Sequence, residues 1–229
     1  MSIRKKILAI SIGPVLVLGV ITLLFMLTMV KSSLMDEVQD ALKGTAAATL
    51  AAYDQNTGDY LESTNGDIWK GSYNISKSES LVDRIKENTG MDVTFFYGNK
   101  RIMTSALDKK GNRILGSEAG ERVVNQVIKG KKPFFSTNVS LDGTRNYGYF
   151  IPVYQNGTTD QVIGMVFVGT NKARKDAIVN KILGSIMMAL LVVMLLCIVT
   201  AMRMAASISK NIKNSVAVVG KLADGDLNV

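Results

Sequence analysis

Hydrophobic and polar positions divide the chain into three regimes. Residues 7–30 and 182–202 are overwhelmingly apolar and carry no charged side chain, while the long segment between them alternates polar and apolar positions at short periods. At about 1.5 Å of rise per residue, either apolar run reaches across a hydrocarbon core of roughly 30 Å. Each is therefore predicted to be a membrane-spanning helix. The first is longer than the apolar part of a secretory signal and has no small-residue cleavage site close behind it, so it reads as an uncleaved anchor.

Between the runs the period changes several times. From Ser33, the residues Leu34, Val38, Ala41, Leu42, Ala46, Leu50 and Tyr53 recur mostly at three- and four-residue steps. That spacing predicts an amphipathic helix continuing out of the first run, which lies on a core, seams with a second copy, or does both. Residues 54–77 are rich in Asn, Gly, Ser, Thr and Asp and read as loop with a short helical turn around Tyr60 and Leu61. Residues 78–88 return to helix, with Ser78 as N-cap, Leu81, Val82 and Ile85 on the apolar face, and Gly90 as stop.

After Gly90 the period becomes two. Residues 92–97 and 101–107 read as strands around the turn Gly98-Asn99-Lys100, followed by a polar loop over 108–120. A short helix over 121–129 turns Val123, Val124, Val127 and Ile128 inward and ends at Gly130. Strands over 133–139, 145–154 and 161–168 follow, joined at Asp142-Gly143 and Asn156-Gly157, dipeptides that supply the positive φ angles of hairpin turns. Pro152 predicts an edge or a strand end. From Asn171 a helix leads into the second run.

Beyond that run, Ile208, Ile212, Ser215, Val219 and Leu222 step by four, three, four and three, a coiled-coil seam that runs up to Asp224-Gly225-Asp226-Leu227.

Charge sets the orientation. Arg4, Lys5 and Lys6 precede the first run and Arg203, Lys210 and Lys213 follow the second. Two spans force both termini to one side, and this basic bias puts them in the cytoplasm. The net charge of +8 is concentrated in these tails, beside anionic lipid. No basic stripe with interleaved aromatics appears, so nucleic acid is not an expected partner.

Residue types also limit the chemistry. The chain has no histidine, and its one cysteine, Cys197, lies within the second run. That removes disulfides from the middle segment, removes zinc and haem ligation, and removes Ser-His and Cys-His nucleophile pairs. No Asp-rich calcium loop occurs. The expectation is no metal, no cofactor and no enzyme activity within this chain.

The ordered set of elements resembles the extracytoplasmic single Cache domain of bacterial chemoreceptors. The residues that carry the resemblance are the run from Thr94 to Ser105 (TFFYGNKRIMTS), the segment from Tyr147 to Val153 (YGYFIPV) and the segment from Val162 to Gly169 (VIGMVFVG). It implies an α+β, PAS-like fold with a five-stranded antiparallel sheet and a long N-terminal helix, flanked by two transmembrane helices. The segment after the second run resembles the first helix and connector of a HAMP domain, with Asn211 where that family usually has proline.

The implied layout is a cytoplasmic N-terminus over 1–6, transmembrane helices over 7–30 and 182–202, a Cache sensor over 31–181, and the start of a HAMP domain over 203–229. The protein so read is the front part of a methyl-accepting chemotaxis protein: a homodimer that senses a small molecule, with its cytoplasmic signalling partners reached only through sequence beyond Val229. A histidine kinase or cyclic-nucleotide synthase shares such a front part. A membrane-anchored interaction module without a ligand is a third reading.

The resemblance also points to a ligand site. Arg101 stands beside the turn, where related Cache domains place a basic residue toward the ligand, and a guanidinium there would pair with a carboxylate; a solvated turn arginine fits the same position. Thr104 and Ser105 follow on its strand as hydroxyl donors. Tyr147 and Tyr149 share one face of the 145–154 strand, and Phe150, with Asn146 and Gly148, shares the other. Which face lines the pocket is open at this stage. Gly148 leaves room for a ligand or a close helix.

Overall fold

The computed structural model describes residues 3–223. The long apolar-to-amphipathic pattern forms one helix, α1 (Ile3–Asp54), and the C-terminal pattern forms another, α4 (Lys172–Ala223). Both are long and apolar enough to cross a membrane. The chain divides into two units, one of residues 33–178 and one holding 1–32 with 179–229.

In the second of these units the apolar parts of the two helices meet at Gly19, where an added Cβ would lie 2.7 Å from the Met194 sulfur. Most other apolar side chains there face outward, with Phe25 63% and Leu195 62% exposed. A surface of that kind is stable only against an apolar solvent, which for helices of this length is a bilayer. Thr22, Thr28 and Thr200 return their hydroxyls to carbonyls one turn back, so they offer lipid no unpaired donor. The predicted seam residues Ile208, Ile212 and Val219 are exposed in the single chain, and Asp224-Gly225-Asp226-Leu227 lies outside the described residues.

The unit of residues 33–178 is built on a sheet. Strands β4 (Asp92–Tyr97), β5 (Lys100–Thr104), β6 (Phe134–Leu141), β7 (Thr144–Tyr154) and β8 (Val162–Asn171) pair antiparallel in the order β5-β4-β8-β7-β6. Two hairpins distant in sequence are thus joined by β4 and β8, from Asp92 against Gly169 to Tyr97 against Gly164. The turn residues act as their types suggest: Asp142 and Gly143 adopt φ of 45° and 77°. Pro152 lies beyond the last β6–β7 pair, Phe134 with Phe150, where the outer side of β7 has become an edge.

One face of the sheet packs on α1 through Val38, Leu42, Ala46 and Tyr53, which meet Val93, Phe95, Tyr147, Tyr149 and Val168. Full burial of one such side chain as Leu42 contributes about 2 kcal/mol. Helix α2 (Glu79–Thr89) adds Val82 to this layer and ends at Gly90 with φ of 68°. Its N-cap position is the expected one, but the side chain there does not cap. Ser78 precedes the helix, but its hydroxyl donates to the Ile75 carbonyl at 2.7 Å and meets the Tyr53 hydroxyl at 2.9 Å instead of capping.

Residues 54–77, read as loop with a helical turn at Tyr60 and Leu61, instead contain a small antiparallel sheet of β1 (Tyr60–Glu62), β2 (Ile68–Lys70) and β3 (Tyr73–Asn74). The strands are too short for a period-two signal to register. They are held by tertiary contacts: Gln155 clamps both the N–H and the carbonyl of Tyr60, at 2.7 and 3.0 Å. Buried Lys70 lies 3.6 Å from Asp54 and 4.2 Å above the Tyr60 ring.

Close backbone approach at the β4–β8 seam yields a prediction. A Cβ at Gly164 would fall 2.0 Å from the Phe96 carbonyl oxygen, so the strands must part to admit it. Gly164→Ala is expected to cost about 3 kcal/mol, read as a lowered denaturation midpoint of the detergent-solubilised chain. An unchanged midpoint would show that the seam yields freely.

Candidate functional site

The second face of the sheet is not closed by a long helix. It carries a smaller apolar cluster that includes Phe96, Phe150, Met165 and Phe167, and next to it a cavity of about 520 Å³. The cavity rim comes from the segment leading into α3 (Glu121–Val123), which continues as a π-helical stretch, Val124–Lys129, with Val127 inserted into the cluster. The opposite wall is β6 over residues 134–140.

Two β-bulges shape the cavity. In β5 the register slips by one residue, because Met103 pairs with Phe95 while Arg101 pairs with Phe96. Without the slip Arg101 would share the face of Met103, which belongs to the α1 layer. The extra residue turns it to the other face, onto the Phe96 ring at 5.3 Å. In β6 the slip falls between Ser136, opposite Gly148, and Val139, opposite Asn146. Phe134 and Ser136 before it and Val139 after it therefore all address the cavity side.

Arg101 is only 7% exposed. The loop after β5 runs back along its outer edge, with the Arg101 N–H donating to the Ser117 carbonyl and the Gly116 N–H donating to the Arg101 carbonyl, each at 2.9 Å. This places the Ser117 hydroxyl to accept from the guanidinium at 2.8 Å, with the Ile114 carbonyl more distant at 3.4 Å. Both acceptors are neutral. The Nε–H is buried with no hydrogen-bond partner among the described residues. Burial lowers the guanidinium pKa, partly offset by the charge of Asp92. A buried cation whose hydrogen-bond acceptors are all neutral favours an incoming anion.

The loop is itself fastened. Arg113 donates to both oxygens of Asp83 on α2, at 2.9 and 2.5 Å, and to the Thr104 carbonyl at 2.7 Å. Two more charged side chains line the cavity, Glu118 and Arg122, with Arg122 5.4 Å above the Phe134 ring. Sequence reasoning did not select them, because nothing in a polar loop and a short helix distinguishes a rim from an ordinary solvated face.

Of the residues singled out from the sequence, Arg101 and Phe150 line the cavity. The other four lie elsewhere. Thr104 is buried between strands, its hydroxyl 2.7 Å from that of Thr94. Ser105 accepts the Val93 N–H at 2.9 Å. Tyr147 and Tyr149 belong to the α1 layer. The room left by Gly148 is taken by an aromatic ring: a Cβ there would fall 2.5 Å from Phe167, and one at its cross-strand partner Gly169 would fall 2.4 Å from the same ring.

The cavity wall also touches the start of α4. Strand β8 passes into the helix without a loop, Asn171 capping it by accepting the Arg174 N–H at 2.9 Å. Lys172 donates to the Thr137 carbonyl in the β6 bulge at 3.1 Å and lies 5.1 Å above the Tyr147 ring. Tyr147 in turn donates to Asp176 at 2.5 Å, and its burial with that carboxylate pushes the phenol up to about 12.

Residues 73–182 match the family described as single Cache domain 3. The segment between the two apolar helices thus carries a single Cache domain, and the α+β fold with a five-stranded antiparallel sheet is the one expected from the sequence. No curated protein matches the chain. Among solved structures it is similar to an extracellular ligand-binding receptor from Desulfohalobium retbaense DSM5692, with 15% identity over 66% of this chain and a TM-score of 0.46. It is also similar to a methyl-accepting chemotaxis protein X, with 15% identity over 63% of this chain and a TM-score of 0.37. It spans 26% of the length of the first and 62% of the second.

The Asp83–Arg113 fastening sets a pH dependence. Arg113 holds the Asp83 carboxyl below its ordinary 3.8. A depressed carboxyl stabilises the fold above that ordinary value and loses its contribution as pH falls through the lower folded value. The melting temperature is expected to decline as pH drops below about 4, and Asp83→Asn should flatten part of that decline. Superimposable profiles would show that the pair contributes nothing.

Proposed function

We propose that the protein is the sensory part of a transmembrane chemoreceptor, a chemotaxis signal transducer whose Cache domain binds a small organic anion, most simply a carboxylate, from outside the membrane. Arg101 carries this reading. A guanidinium brought into the domain by a bulge, held by neutral acceptors and keeping a buried N–H unpaired, gains most from a carboxylate. Phe150 supplies apolar wall beside it. The Cache match and the two flanking helices support the sensory role and the membrane setting.

In this reading both termini are cytoplasmic and residues 31–181 are extracytoplasmic. Two chains associate through the exposed face of α1 around Gly44, Ala47 and Ala48, and through the seam at Ile208, Ile212 and Val219. A ligand in the cavity biases β6 and β8, and both strands are tied to the first turn of α4, by Lys172 and by Asn171. Displacements of about 1–2 Å along such helices are enough to switch a bistable element, and the HAMP-like seam relays the change inward.

The full chain in detergent or nanodiscs tests this by calorimetric titration with sodium acetate and sodium succinate. Arg101→Gln is expected to weaken anion binding at least about tenfold. Binding that ignores the substitution would remove Arg101 from the site. Lys172→Ala is expected to leave affinity within about threefold but to abolish anion-induced hydrogen-exchange protection in the first turn of α4. Retained protection would place the relay elsewhere.

A further inference from the structure

We propose that the ligand is an aryl monocarboxylate, an anion with a single carboxylate joined to a flat aromatic ring, in preference to a short aliphatic acid, a dicarboxylate or a zwitterionic amino acid. This rests on reading the cavity as an organic-anion site and narrows that reading by charge, shape and surface.

Charge comes first. The charged side chains lining the cavity are Arg101, Arg122 and Glu118, one positive charge in excess. A single carboxylate neutralises it. Glu118 and Arg122 are exposed to water, whereas Arg101 is buried. The charge to be matched away from water is that of Arg101, and a second carboxylate, or an ammonium beside the first, would be desolvated next to it without a buried counter-charge.

The surface next to the cations is aromatic. Arg101 lies over Phe96 and Arg122 over Phe134. From Phe134 the rings continue inward, with centroids 6.4 Å apart to Phe150 and 4.7 Å on to Phe167, both pairs tilted. Those separations and tilts are the ones in which aromatic rings attract each other, so the array can take a further ring. Phe96, Phe150 and Phe167 are already buried and Phe134 is half-buried, so a short acid such as acetate would satisfy a guanidinium and leave the Phe134 ring partly in water. A ring attached to the carboxylate would cover the Phe134 face and take its own apolar surface out of water, the dominant source of affinity for an apolar ligand.

Shape follows from two glycines. Gly148 and Gly169 face each other across β7 and β8, and the Phe167 ring lies so close over both that a Cβ on either would collide with it. Phe167 therefore lies low on the sheet and leaves depth above it. The resulting volume of about 520 Å³ lies within the range of sites for ligands larger than a two- or four-carbon acid.

The experiment is titration of the full chain in nanodiscs with sodium phenylacetate, sodium acetate, sodium succinate and L-phenylalanine, on the wild type, Arg101→Gln, Phe134→Leu and Gly148→Ala. Phenylacetate is expected to bind at least about tenfold more tightly than the other three and to lose that binding in Arg101→Gln. Phe134→Leu keeps the bulk of a half-buried wall residue without its ring and should reduce the preference over acetate to about threefold or less. Gly148→Ala should lift Phe167 into the cavity and weaken phenylacetate more than acetate. Acetate, succinate or L-phenylalanine binding as tightly as phenylacetate through Arg101, or a preference that survives Phe134→Leu, would overturn the aryl inference and leave the anion site standing. Absence of Arg101-dependent binding by all four would overturn both.

Discussion

The pairing of β4 with β8 is the constraint on which the domain depends. It joins a hairpin formed soon after α2 to a meander completed some seventy residues later, and so closes the longest chain excursion within the five-stranded sheet. Such non-local pairing is slow to form because chain entropy is lost before contacts repay it. Once made, it fixes which side chains share each face. Phe95 and Val166 go to the α1 side, Phe96 and Phe167 to the cavity side. The seam's tightness at Gly164 leaves no slack for a slipped register, and a slip of one residue would exchange the two faces entirely.

The two faces then do different work. Against α1 the sheet is dry and closely packed, with Tyr53 edge-on to Phe95 at 5.2 Å and the Tyr53 phenol pushed far up by burial. On the other side a buried cation sits among rings and neutral acceptors. Keeping Arg101 there without a carboxylate partner costs stability that the α1 layer must supply, a common division between a scaffold and the site it supports. The loop over 105–120 is the intermediary: Arg113 fastens it to α2, and the loop in turn fixes the position of Ser117.

Much of this was legible in the sequence. Period-two runs between Gly-containing turns gave the five strands, with β4 placed to the residue, because alternating burial and hairpin chemistry are local properties. The steps of four, four and seven residues through Val38, Leu42, Ala46 and Tyr53 gave the buried face of α1 for the same reason. What escaped depended on tertiary contacts. A bulge is one extra residue opposite none and leaves no compositional trace, so which way Arg101 turns could not be derived from alternation, which would have assigned it to the Met103 face. The aromatic face of β7 was ambiguous because both faces carry rings. Only the position of α1 decides that Tyr147 and Tyr149 are core and Phe150 cavity wall. The β1–β3 sheet was invisible because its order comes from the Gln155 clamp and the Lys70 contacts, not from strand propensity.

The direct passage of β8 into α4 has a consequence that runs opposite to sensing. No flexible linker stands between Phe167 at the cavity and Asn171 at the helix cap, and Lys172 bridges the same turn to the β6 bulge. Coupling free energy between two such places has no direction. On the proposed reading, in which occupancy of the cavity displaces the first turn of α4, whatever displaces that turn, such as a change in bilayer thickness or lateral pressure, alters the cavity's affinity by the same factor. That reading makes the affinity of the cavity a joint property of its own side chains and of the lipid around the helices.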